Sequence, residues 1–185
     1  MIEAGDLRNG TVFERDGQLL VCVDYSHMKM GRGTAQVRAK LRNLKTGAII
    51  DETFRPEQRF PRVRIEKRKM QYLYADDDAH HFMDSENYEQ VAMTAAQLGE
   101  ATRYMKEQME ILVLSYDDQP IGVELPTSVE LEVIETEPGF KGDTATGGSK
   151  PARVETGISL NVPLFVNQGD RIKVDTRTGE YMERA

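Results

Sequence analysis

Polar and apolar residues alternate along most of this chain. In TAQVRAKLR, residues 34–42, Ala35, Val37, Ala39 and Leu41 fall on one side, and Gln36, Arg38, Lys40 and Arg42 on the other. Successive strand side chains point to opposite faces, so the stretch predicts a half-buried strand with a basic outer face. QLLVCVDYSH before it is rich in Val, Leu and Tyr and reads as a neighbouring strand. LKTGAIIDETF, residues 44–54, holds a Lys45-Thr46-Gly47 turn into a further strand. The first 64 residues therefore predict a small all-β barrel.

The alternation breaks at RPEQRFPRVRIEKRK, where Pro56, Pro61 and a dense charge run precede the next pattern, so a boundary is set near residue 64. KMQYLYADDDAHHFMD then reads as strand, acidic turn, strand. TAAQLGEATRYMKEQ carries a weak helical spacing, Ala96, Leu98, Ala101 and Met105, interrupted by Gly99. MEILVLSYDDQPIGVELP reads as a hairpin turning at Asp117–Pro120, and Pro126-Thr127-Ser128 marks a second boundary. VELEVIETE is a strand, PGFKGDTATGGSKP a long Gly/Thr/Ser loop, and ARVETGISLNVPLFV one alternating run with Val154, Ile158, Leu160 and Val162 together. A turn, a strand and a final turn close the chain. Short strands joined by turns, with at most one helix, suit small closed or partly open barrels of the OB type. The expectation is an all-β chain of three consecutive small barrels, residues 1–64, 65–127 and 128–185, the last two without an obvious sequence repeat.

Composition narrows the class. The longest apolar run is LLVCV, residues 19–23, far short of the roughly 20 residues of a membrane span, and MIEAGDLRNG has neither the basic start nor the apolar core of a signal peptide. A single cysteine, Cys22, excludes an internal disulfide. Together these favour a reducing, cytoplasmic setting and no membrane partner. Net charge is −7, but it is unevenly spread. Residues 1–64 hold 12 Lys+Arg against 8 Asp+Glu, residues 65–127 hold 5 against 13, and residues 128–185 hold 7 against 10. A basic first third on an acidic body is either chance clustering or the mark of a polyanion-facing end.

Candidate catalytic groups are few. Asp76, Asp77, Asp78, His80, His81 and Asp84 form an acidic cluster, but adjacent strand side chains diverge, so His80 and His81 cannot share one ion and an exposed turn is expected instead. GDTATGGSK lacks the Gly-Lys-Ser/Thr order of a phosphate-binding loop, and Pro151 and a strand follow it where a helix is needed. Cys22 lies in an apolar strand without an evident base. No metal, cofactor or catalytic constellation is expected. There remains the loop Met28–Gly33. It carries Lys29 and Arg32, with no carboxylate from Ser26 to Lys40, and Gly31 and Gly33 clear space around the arginine. An always-charged planar guanidinium suits phosphate or base contacts. The residues alone leave a solvated turn and an RNA contact equally open.

The pattern resembles the bacterial translation elongation factor P family over essentially the whole length. The resemblance rests on Asp6-Leu7-Arg8-Asn9-Gly10, the His27–Gly33 loop, MQYLY at 70–74, FMD at 82–84, QPIGVELP at 119–126 and the text from Gly142 to the end. It implies a KOW/SH3-like barrel followed by two OB folds in an L shape that mimics tRNA. It further implies a monomer that binds both ribosomal subunits beside peptidyl-tRNA and relieves stalling at consecutive prolines without being an enzyme. The resemblance puts Arg32, with Lys29, Met30, Gly31 and Gly33 around it, at the peptidyl transferase centre. Arg38, Lys40 and Arg42 would hold RNA phosphates. Gly142, Asp143 and Thr144 would lie near an exit-site mRNA codon, and Tyr181 and Arg184 match tail positions tied to ribosome function. Many relatives carry a lysine at the tip, modified with β-lysine; this chain is of the Arg-tipped variety, which lacks that amine and in some relatives is rhamnosylated by an arginine-modifying glycosyltransferase. The competing readings are an elongation factor P-like paralogue and a general RNA-binding β protein.

Overall fold

The computed structural model describes residues 1–29, 31, 33–139 and 148–185. Its first unit contains β1 (Ile2–Glu3), β2 (Val12–Arg15), β3 (Gln18–Met28), β4 (Gln36–Asn43), β5 (Ile49–Phe54) and β6 (Arg59–Phe60). β2 to β5 form an antiparallel sheet in chain order, and β1 pairs with β6. The alternation in β4 is real: Val37, Ala39 and Leu41 are buried, and Arg38 and Lys40 exposed. Phe13, Leu7, Leu20, Cys22, Phe54 and Phe60 complete that core. A register shift between Cys22 and Asp24 bends β3, which stays paired with β4 out to Met28 and Gln36, one pair beyond the last β4–β5 pair at Val37 and Phe54.

The second unit contains β7 (Glu66–Ala75), β8 (His80–Asp84), β9 (Gln90–Met93), α1 (Ala95–Leu98), β10 (Glu110–Tyr116) and β11 (Gln119–Glu124), in the order β11-β10-β7-β8-β9. The third contains β12 (Ser128–Thr136), β13 (Ser149–Val154), β14 (Ser159–Pro163), β15 (Arg171–Asp175) and β16 (Tyr181–Arg184), in the order β14-β13-β12-β15-β16. Read from the other edge, the two orders are the same. In each, the long first strand is central and pairs with the fourth strand along its first half and the second along its other half. The third and fifth strands then approach across the gap, as in a partly closed OB barrel.

Four local expectations change. The charge run Glu66–Lys69 lies inside β7, because pairing with β10 supplies its backbone partners although its side chains stay in water. The second-barrel hairpin turns on Asp117 and Asp118 alone, both at positive φ, +50° and +60°, so Gln119 and Pro120 already belong to β11. Pro120 is tolerated there because it sits at a register shift. ARVETGISLNVPLFV is two strands and not one: Gly157, at φ +93°, closes a turn in which Val154 N–H donates to Ile158 O at 3.0 Å. Finally, the chain ends on a strand, β16, and not on a turn.

One short segment joins all three barrels. Thr94 caps α1 through a reciprocal bond pair with Gln97, and a 3₁₀ turn, Gly99–Arg103, follows. Leu98 and Met105 bury into the second core. On one side Ala96 and Gly99 meet the first barrel. On the other, Tyr104 enters the core of the third, among Leu131, Val133 and Ile172. Val12, Leu44 and Ile121 form a separate apolar seam between the first and second barrels.

Candidate nucleic-acid interface

The hairpin of β3 and β4 carries the residues singled out for a polyanion. Its cross-strand register explains which of them are free to act. Arg38 stands between Ser26 and Thr53, both uncharged. Lys40 stands between Asp24 and Asp51, so carboxylates flank it on either neighbouring strand. Both side chains are exposed, and neither forms an ion pair among the described residues. The charge stripe seen along one strand is therefore strongest toward the free end of the hairpin.

Arg42 occupies the same face but a different environment. Its side chain turns under the second barrel, where a β-carbon built on Gly99 would overlap Nη1. Its Nε is buried and makes no hydrogen bond among the described residues. Burial pulls the guanidinium below its ordinary value, and the Glu100 carboxylate opposes that shift. Arg42 is thus set apart from Arg38 and Lys40.

At the end of the hairpin, Lys29, Gly31 and Gly33 are exposed. Gly31 has φ +47°, with open space where a β-carbon would be; glycine is favoured at such a φ. Met30 and Arg32 lie outside the described residues, as do Gly142, Asp143 and Thr144. The other face of the hairpin holds a feature that the sequence did not suggest. The Arg8 guanidinium lies 5.2 Å from the Tyr25 ring centroid, and Tyr25 meets His27 edge-on at 5.9 Å. Arg8 lies in no strand and far from Tyr25 in sequence, so strand alternation carries no signal of this contact.

The two tail residues sit in different surroundings. Tyr181 is half-buried against the third core and lines a groove with Ser149, Leu160 and Pro163. Arg184 is exposed, pairs with Asp170 at 3.2 Å and lies 5.9 Å from the exposed Phe165 ring. The acidic turn is hydrogen-bonded to itself. Asp76 meets His81 Nε2 at 2.7 Å and accepts from the N–H groups of Asp78 and Ala79. No metal-holding group of His, Cys, Asp and Glu occurs among the described residues. Cys22 is buried, and burial raises its thiol. No helix among the described residues is long and apolar enough to cross a membrane.

Three family models match the chain in sequence order. The elongation factor P KOW-like domain matches residues 3–60, the elongation factor P OB domain 65–123, and the elongation factor P C-terminal model 129–184. The elongation factor P of Thermoanaerobacter sp. is 55% identical over 184 residues, covering all of both chains. That of Caldicellulosiruptor saccharolyticus is 53% identical over the same span and coverage. Among solved structures, a eukaryotic translation initiation factor 5A from Methanococcus jannaschii superposes at TM-score 0.47 and 21% identity, over 64% of this chain and 88% of that one.

Proposed function

Because this chain belongs to the elongation factor P family of translation elongation factors, we propose that it binds the ribosome beside peptidyl-tRNA and promotes peptide-bond formation at consecutive prolines. One observation carries this reading. The β3–β4 hairpin is exposed at its end, at Lys29, Gly31 and Gly33, and carries no carboxylate from Ser26 to Lys40, on a chain of net charge −7. Such an arm offers its cationic end to RNA while the acidic second barrel discourages indiscriminate binding.

The mechanism requires no bond-making group, and the protein is a factor and not an enzyme. Proline restricts the geometry of both reacting groups. Holding the CCA end of the peptidyl-tRNA in place lowers the entropy still to be lost on reaching the transition state. Arg32 makes that contact, as the Arg-tipped variety of the family, and Lys29 and Arg38 anchor the arm on phosphates. Lys40 contributes less because Asp24 and Asp51 flank it. Gly142, Asp143 and Thr144 serve the mRNA side, and Tyr181 and Arg184 the ribosome. The factor acts as a cytoplasmic monomer with an L-shaped, tRNA-like outline and no cofactor. Arg32 is the position for rhamnosylation by a glycosyltransferase.

In vitro translation of a triple-proline reporter tests this, comparing wild type, Arg32→Ala and buffer. Wild type is expected to raise full-length product and Arg32→Ala to lose most of that gain. Product no higher with wild type than with buffer ends the reading. The intact mass of the Arg32 peptide from native cells decides the modification.

A further inference from the structure

The seam between the first two barrels touches at separated points. Val12, Leu44 and Ile121, with half-buried neighbours such as Leu19, Val63 and Leu114 packed on them, form the apolar one. A cleft of about 590 Å³, lined by Val21, Arg42, Ile65, Lys67, Gly122 and Glu124 among others, runs beside it. A single apolar patch next to an open cleft leaves two bodies free to roll on each other, since hydrophobic contact is non-directional. Two further contacts remove that freedom, and each uses a glycine. Gly47, in the β4–β5 turn, rests on α1 so closely that a β-carbon there would lie 2.8 Å from Ala96 O. In the opposite sense, Arg42 reaches over Gly99 into space that only a missing side chain leaves open. The half-buried guanidinium has no carboxylate partner among the described residues, and the nearby Glu100 is engaged by Arg103 at 2.7 Å. A charge drawn under a second barrel without a carboxylate partner costs desolvation, so its position is explained by shape.

We propose that Arg42 is a positioning residue: seated over Gly99, it fixes the angle between the first and second barrels and so aims the hairpin. The lever is long. From Arg42 to Gln36, the outer end of β4, the strand spans about 20 Å at roughly 3.3 Å per residue, so a rotation of about 6° at the seam moves that end by about 2 Å. A displacement of that size is enough to lose productive positioning. This role rests on the stall-relief reading for its consequence, but the geometry itself is measurable without a ribosome.

Residual dipolar couplings of the free protein test the inference. One alignment tensor is expected to fit the first and second barrels of wild type and of Arg38→Ala. Arg42→Ala is expected to need two, and Arg42→Lys, which lacks the planar fork, likewise. Gly99→Ala expels the same guanidinium without altering any cationic residue and is expected to split the tensors too. In the triple-proline assay, Arg42→Ala and Gly99→Ala are both expected to lose about tenfold in stall relief. A single shared tensor in folded Arg42→Ala overturns the proposal, whether or not activity falls; lost activity with an unmoved barrel means that Arg42 touches RNA. Should Arg42→Ala fail to fold, Arg42→Lys is read by the same criterion. If wild type itself relieves no stalling, the functional reading fails while the orientation result stands.

Discussion

Lys106 Nζ, on the second barrel, donates to the backbone carbonyl of Glu130 on the third at 2.7 Å. The same ammonium lies 3.6 Å from the Glu155 carboxylate. Beside it, Tyr104 is buried in the third core although it belongs to the second barrel by sequence. A β-carbon on Gly179 would meet its hydroxyl at 2.9 Å. The second-to-third junction is thus a plugged aromatic with a polar clasp.

Truncating that plug should act on the third barrel. Tyr104→Ala is expected to destabilise it by about 3 kcal/mol, the cost of emptying a buried aromatic site. Lys106→Ala, which removes one half-exposed donor, is expected to cost about 1 kcal/mol. Denaturant unfolding followed at third-barrel amides is the measurement. An unchanged midpoint for Tyr104→Ala would show that the aromatic is merely resting on the surface.

Acid should weaken the second barrel through two groups with the same sign. The contact with His81, then the N–H groups of Ala79 and Asp78, hold the Asp76 carboxyl at about 2, below its ordinary 3.8. Its stabilising contribution is complete above the unfolded value and is lost as pH falls toward about 2. Burial lowers His80 from its ordinary 6.5, so the unfolded chain binds that proton first and stability also falls as pH drops below 6.5. Carboxyl NMR titration should place Asp76 near the stated value, and His81→Leu should raise it. An Asp76 midpoint that does not move in His81→Leu contradicts the assignment.

Lys150 is buried in β13, and its Nζ donates to Glu137 O at 2.5 Å. Lys150→Met keeps most of the apolar stem but leaves that carbonyl without its donor. A loss of about 1–3 kcal/mol is expected, read as a lowered unfolding midpoint of the third barrel. No change would mean that water replaces the ammonium without cost.

The register of the hairpin predicts unequal shares for Arg38 and Lys40 in the proposed ribosome binding. Arg38→Ala should reduce the slope of log affinity against log salt for ribosome binding by about 0.9, the value for one lost phosphate contact. Lys40→Ala should reduce it by less, because Asp24 and Asp51 flank that ammonium. Equal slopes for the two variants would contradict the screening argument.

Much of the fold was legible because strand alternation is a local requirement. Val37, Ala39 and Leu41 are buried as their spacing predicts. The same rule overreached at Val154 to Val162, where Gly157 reverses the chain between strands that keep their apolar residues on the core side. Periodicity in one run does not report a reversal that restores the same face. The candidate site was legible as composition, namely a basic arm without carboxylates. It was not legible as geometry, since Asp24 and Asp51 reach Lys40 only through pairing, and Arg8 reaches Tyr25 only across the barrel.

The order of residues by itself determined an all-β chain, most of its strands and its cationic hairpin, because these follow from the period of side chains along a strand and from which charges stand together. Tertiary structure alone decided that Arg42 lies under the second barrel and not on the open face, that Tyr104 fills the third core, and that two barrels without visible repetition share one strand order. Those outcomes depend on which distant surface arrives to exclude water. A residue's neighbours in sequence carry no record of that arrival.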